Sequence, residues 1–356
     1  MSAAPEETRE PEPVTSRRGF FWVGRDRSEQ TYGTVASGPM YVEWEEPVDR
    51  RHPYPIVLIH GGGGQGLDWI GTPDGRPGWA PYLVREGYAV YVVDRPGHGR
   101  AAFLPDVFGP AGAVPTYQFF EWLFKPPADG PIAHPAAELH TRWPGGGTDD
   151  AVFDQLVAAM GPMSRDFAET HRREQARGAE LLDRIGPAVL FSHSAGGPCG
   201  WLTADARPDL VRAIVALEPM GPPFLHDPDR GLNLAWGPAA APLTYDPPVS
   251  DPSELRLVSS EPPAPGLPPM VLQEDPARKL RNLAGIPIAV VSAEASRFVH
   301  FDGYLPVFLE QAGCDVELVR LGDRGIHGNA HGMIFEENHR EVLGVVLNWL
   351  EGRLAG

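Results

Sequence analysis

Six short strand-like runs constrain this chain more than any other feature: residues 56–59, 89–93, 189–191, 213–217, 288–291 and 316–321, most of them continuously apolar. An unbroken apolar run suits a parallel strand covered on both faces, whereas a strand with one wet face alternates. Helix-like segments lie between most of these runs. Residues 79–86, closed by Gly87, form one such segment and make 56–93 a βαβ unit. Strands alternating with helices predict an α/β fold with a mainly parallel central sheet flanked by helices. Upstream, residues 20–23 and 40–44 read as short strands at one edge of that sheet, the second with the alternation of an antiparallel strand. Near the end, Asn338 is expected to cap a helix with Glu341 three residues on, and Val342, Val345, Val346, Trp349 and Leu350 follow helical spacing.

Two long stretches break the alternation. Residues 101 to about 163 carry Pro, Gly and aromatics, among them Phe119, Phe120, Trp122, Phe124 and Trp143, and residues from about 221 to 280 are full of Pro. The 41 Gly and 40 Pro are spread unevenly, which points to long loops rather than general disorder. Long loops inside a compact domain are usually functional or disordered. Both stretches leave the carboxyl side of the sheet, where open α/β sheets bind ligands, so both are expected to cap the site. A helix is expected from about 164 to 184, stopped near Gly186. Residues 1–15, rich in Pro and Glu, are expected to be a disordered tail, leaving a single domain over 16–356.

The run at 188–191 leads into Ser192-His193-Ser194-Ala195-Gly196-Gly197. A Ser flanked by small residues after a buried strand is the pattern of a nucleophile elbow, although Ser192 stands where Gly is usual. A Ser hydroxyl needs a neutral His to take its proton and a carboxylate to orient that His. For the base there are His327 and His331, in a Gly-rich loop after the last strand. For the acid there are Glu218 and Glu294, each ending a strand, and Asp302 in the loop beyond; position alone slightly favours Glu294. The oxyanion needs backbone N–H donors. His60-Gly61-Gly62-Gly63-Gly64 follows a buried strand, and Gly62 N–H with Ala195 N–H would form the pair. Asp94-Arg95-Pro96-Gly97-His98-Gly99-Arg100 reads as turn geometry, with no catalysis from His98.

Other chemistries find little support. The net charge of −17 argues against nucleic acid as a partner. No phosphate-cradling Gly-x-x-x-x-Gly-Lys-Ser/Thr run exists, and Gly328 and Asn329 disfavour a metal-binding helix between His327 and His331, so neither cofactor nor metal is expected. No apolar run is long enough to predict a membrane span. Ser16-Arg17-Arg18-Gly19-Phe20-Phe21 is similar to a twin-arginine export signal, but Val23-Gly24-Arg25-Asp26-Arg27 follows instead of an apolar stretch, so an early strand is expected. With only Cys199 and Cys314, a reducing compartment is expected, and hence a cytoplasmic protein.

The ordered set His60-Gly61-Gly62, Asp94 to Gly99, Ser192 to Gly196 and a late His resembles the α/β-hydrolase superfamily. More narrowly, Thr72-Pro73-Asp74-Gly75-Arg76, Ser192-His193-Ser194, Glu218-Pro219 and Gly325-Ile326-His327-Gly328-Asn329-Ala330-His331 resemble bacterial and fungal serine esterases with a Glu directly after the strand that follows the elbow. That resemblance implies Glu218 as acid, His331 rather than His327 as base, and Gly62 with Ala195 as oxyanion donors. It also implies a small-molecule carboxylic ester as substrate and a homodimer. Some relatives have cysteines after the first His-Gly; this chain has Gly62-Gly63 there.

Overall fold

A computed structural model describes residues 13–127, 134–146, 150–264 and 267–354. Its centre is an eight-stranded sheet: β1 Ser16–Val23, β2 Met40–Pro47, β3 Ile56–Ile59, β4 Val90–Asp94, β5 Ala188–His193, β6 Val211–Leu217, β7 Pro287–Ser292 and β8 Asp315–Arg320. The spatial order is β1-β2-β4-β3-β5-β6-β7-β8. β1, β2 and β4 pair antiparallel, and β4 through β8 run parallel. Successive side chains of a strand point to opposite faces, so the apolar runs feed two cores. Val57, Ile59, Leu190, Ile214, Ala216, Ile288 and Val290 lie in one; Ile56, Leu58, Val189, Phe191, Ala213, Val215, Ala289 and Val291 lie in the other.

Helices cover both faces. On the second face sit α1 Trp79–Arg85 and, at the end of the chain, α7 His339–Leu354, through Trp79, Leu83, Val342 and Leu350, and α2 Tyr117–Phe124 and α3 Ala151–Ala158 join the same core through Phe120 and Leu156. On the first sit α4 Phe167–Ile185, α5 Gly197–Ala206 and α6 Tyr304–Gln311, through Leu182, Trp201, Leu202, Phe308 and Leu309.

Three sequence expectations change. β1 starts four residues earlier than its aromatic run, because its backbone continues along β2 with Arg17 opposite Glu46 and Arg18 opposite Glu45, and opposite charges across a pair support the register. The twin-arginine-like segment is therefore the start of the edge strand. Asn338 precedes α7, but its side chain exchanges hydrogen bonds with Asn329 (2.6 and 2.9 Å) rather than serving as the expected side-chain cap. The stretch from 221 to 280 contributes Trp236, Ala239, Ala241, Leu243, Tyr245, Leu255 and Leu280 to the core shared with α5 and α6, so much of it is body rather than cover. Of the expected tail, residues 1–12 lie outside the described residues, as do 128–133, 147–149 and 265–266 of the two irregular stretches.

Candidate active site

β5 ends at His193, and the chain turns through Ser194–Gly196 into α5. Ser194 takes φ 53°, a left-handed conformation that side chains other than glycine rarely adopt and that costs of order 1–3 kcal/mol. Neighbouring backbone crowds the turn: a Cβ on Gly196 would lie 2.5 Å from the His60 carbonyl oxygen, and one on Gly197 2.5 Å from Pro219 Cβ. Ser192, in place of the usual Gly, packs against Gly200, where a Cβ would sit at an ordinary contact distance of 3.4 Å from Ser192 Oγ. Gly196→Ala is accordingly expected to destabilise the fold by about 1–3 kcal/mol. Thermal unfolding checks this, and an unchanged melting temperature would contradict the close fit.

Ser194 Oγ is 2.9 Å from His331 Nε2, and His331 Nδ1 is 2.7 Å from Glu218 Oε2. Glu218, the residue after β6, also has positive φ (38°) and is held by Val291, whose carbonyl accepts its N–H. Its carboxylate accepts from Ala293 N–H at Oε1 (2.9 Å) and from Ser296 Oγ at Oε2 (2.8 Å). A backbone N–H can only donate, so these contacts suit the ionised acid. Burial raises the Glu218 carboxyl, and the two donors oppose that rise. Burial, helped by the Arg297 charge, lowers the His331 imidazole and favours the neutral ring. The ring lies against Phe298 (centroids 4.7 Å apart) and Phe124 (5.4 Å), and His193 Nε2 donates to the His331 carbonyl at 2.9 Å.

The alternative candidates have other partners. Glu294 bonds the exposed His327 at 3.0 Å, and Asp302 bonds Arg320 at 2.8 and 2.9 Å. His98 is buried beside His60, 5.1 Å between rings. Beside the Ser194 turn, a Cβ on Gly61 would lie 3.2 Å from Ser194 Cβ, and one on Gly62 would lie 3.1 Å from Ala195 Cβ and 2.9 Å from Met163 Sδ. Gly62 and Ala195 therefore face each other across the Ser194 turn. Gly62 N–H has no acceptor among the described residues, and Ala195 N–H belongs to the first turn at a helix start, where donors lack intrahelical partners.

Much of the scaffold behind His331 was missed in the sequence. Buried Glu336 accepts from Ala330 N–H (3.1 Å), Asn329 Nδ2 (2.7 Å) and His140 Nε2 (3.0 Å). Arg76, at the end of the Thr72-to-Arg76 segment, donates to the carbonyls of Phe335 and Glu337 at 3.0 and 2.9 Å. The Asn338 side chain completes this loop scaffold, and only the polar residues following His331 hinted at it. Among the described residues no group of three or more His, Cys, Asp or Glu is placed to hold a metal, and no helix is long and apolar enough to cross a membrane.

A family model described as the alpha/beta hydrolase fold matches residues 54–248, more than half of the chain. The chain belongs to the α/β-hydrolase family. A probable secreted lipase, phiG, of a fungal species (strain ATCC 74256) is 39% identical over 335 residues, spanning 93% of this chain and 89% of that protein. A solved structure described as a novel bacterial esterase superposes with a TM-score of 0.63 at 22% identity, covering 98% of this α/β hydrolase and 99% of that chain, which speaks for the fold.

The secreted relative overturns the cytoplasmic expectation. That expectation rested on scarce cysteine, and the physical link is weak for a chain of this size. Cys199 and Cys314 are free thiols buried in a large core, and a domain that buries this much apolar surface needs no disulfides wherever it resides.

Proposed function

We propose that this α/β hydrolase cleaves carboxylic esters through Ser194, His331 and Glu218, with Gly62 and Ala195 N–H as oxyanion donors. The observation that carries the proposal is the unbroken chain from Ser194 Oγ through His331 to Glu218, at 2.9 and 2.7 Å. Ser194 attacks the ester carbonyl as His331 Nε2 takes its proton. The tetrahedral oxyanion is met by the two N–H groups, each such donor being worth roughly 3 kcal/mol in the transition state. Collapse expels the alcohol, which receives the proton from His331, and leaves an acyl group on Ser194. Water, deprotonated by the same imidazole, then releases the acid. Glu218 holds the Nδ1 proton throughout and keeps Nε2 free to accept. On this reading the protein falls among the esterases whose acid is the Glu after the strand following the elbow.

The surroundings support an ester with apolar groups. Phe124 and Phe298 flank the base, and Met163 covers Gly62 while clustering with Phe167, Met220 and Leu225. The relative named as a lipase points the same way. We assign the aromatic part of the stretch from 101 to 163 to the cover of this site. A fluorophosphonate probe should label Ser194, located by peptide mass spectrometry, and labelling should stop ester turnover; full turnover by the labelled protein would defeat the assignment. The pH profile adds a second check. The base must be neutral and burial lowers its pKa, so more acid is needed to protonate it. The acid limb of kcat/KM is expected below 6.5, the ordinary His value. A limb above 6.5 would contradict the buried imidazole as base.

A further inference from the structure

Behind the oxyanion loop lies an ion pair that the proposed chemistry does not use. Arg95 follows β4 and Glu174 lies on α4; Nη1 meets Oε1 at 2.6 Å, with side-chain exposures of 3% and 0%. Arg95 Nε and Glu174 Oε2 have no partner. Removing two charges from water costs several kcal/mol per ion unless the geometry satisfies them fully, and a well-packed apolar pair is often as stable. Stability is therefore a poor explanation for a pair left half-satisfied.

Its second contact gives a better one. Arg95 Nη2 donates to the Gly61 carbonyl at 2.8 Å, and His60 Nδ1 reaches the same oxygen at 2.8 Å. Arg95 N–H donates to His60 Nε2 at 3.0 Å, so Nε2 lacks a proton and Nδ1 carries the one that goes to Gly61. One residue thus supplies a donor to the Gly61 carbonyl and also selects the tautomer that supplies the other. The peptide bond is planar and trans, so the Gly61 C=O and the Gly62 N–H point in opposite directions. With the carbonyl drawn toward Arg95 and His60, the N–H leaves on the other side, and the Gly61 and Gly62 Cα atoms stand against Ser194 and Ala195.

We propose that Arg95, braced by Glu174, is a positioning residue that aims Gly62 N–H at the developing oxyanion. Glu174 carries the binding energy that holds the guanidinium in place, and His60 relays the same orientation through its ring. The proposal rests on the Ser194 mechanism above. It predicts a cost in the transition state and little in substrate binding.

The decisive variant is the double replacement Arg95→Met with Glu174→Met, which removes both charges together and leaves neither stranded. The expected result is a melting temperature within a few degrees of the parent, kcat lowered about 10- to 100-fold with KM nearly unchanged, short of the roughly 10²- to 10³-fold typical of deleting a donor outright. Affinity for a trifluoromethyl ketone, which forms an oxyanion on Ser194, should fall by a similar factor. A folded double variant with parental kcat overturns the inference, since a merely structural pair would be replaced without catalytic loss. If the double variant does not fold, Arg95→Lys decides: one ammonium keeps the charge beside Glu174 but lacks the rigid fork that meets Glu174 and Gly61 with separate nitrogens, so kcat should fall while KM stays. Parental kcat in that variant overturns the inference too. Failure of the underlying mechanism looks different, because Ser194→Ala would then remain active whatever happens at Arg95.

Discussion

Ser194→Ala is expected to lower kcat for ester hydrolysis by about 10⁴- to 10⁶-fold, because a triad acts as a unit and loss of its nucleophile removes nearly all that the unit contributes. KM should change little, since the hydroxyl is small and the walls beside it remain. The fold should survive. Ser194 sits at φ 53°, and Ala at that position carries the same Cβ strain without adding a new contact. The measurement is steady-state turnover of a short-chain aryl ester by purified variant, alongside a thermal melt. Residual activity within tenfold of the parent, in a sample free of contaminating esterase, would rule out Ser194 as nucleophile.

Glu218→Gln should come next in size, with kcat reduced about 10³- to 10⁴-fold, the scale seen when an amide replaces a triad carboxylate. The reason is specific to this site. Glu218 accepts from Ala293 N–H and Ser296 Oγ and faces His331 Nδ1. An amide has one acceptor oxygen, and Ala293 N–H cannot reverse its role. With the oxygen held by Ala293, the amide NH2 faces His331, which then takes the tautomer with Nδ1 as acceptor and a proton on Nε2. In that form it cannot take the Ser194 proton. Glu294→Gln is the matched control: its partner His327 is exposed and apart from Ser194, so kcat should stay within about twofold. A large loss in Glu294→Gln with little in Glu218→Gln would transfer the acid to Glu294.

The contrast between these acids shows how far the chain could be read before folding. Glu218, Glu294 and Asp302 all follow strands, and spacing alone slightly favoured Glu294. Only family resemblance pointed to Glu218. What separates them in space is direction: Glu218 turns back at φ 38° under Ala293 and Ser296, while Glu294 leans outward to His327 and Asp302 meets Arg320. A backbone turn of this kind is set by packing between β6 and β7, which lies outside any local pattern. Asn338 makes the same point in reverse. It stands where a cap should, but its amide finds a better partner in Asn329 across a loop.

The sequence by itself determined the architecture and supplied the residues proposed for the chemistry. Apolar runs buried on both faces can only be satisfied inside a covered parallel sheet, and the small residues around Ser194 and after His60 are required wherever backbone approaches backbone within a few ångströms. These are local demands, and local residues reveal them. The tertiary structure alone decided which carboxylate meets which His, how Glu336 and Arg76 build the loop that carries His331, and how Arg95 and Glu174 draw back the Gly61 carbonyl. Those contacts join residues far apart in the chain, and their strength depends on exclusion from water, which exists only after the chain has folded.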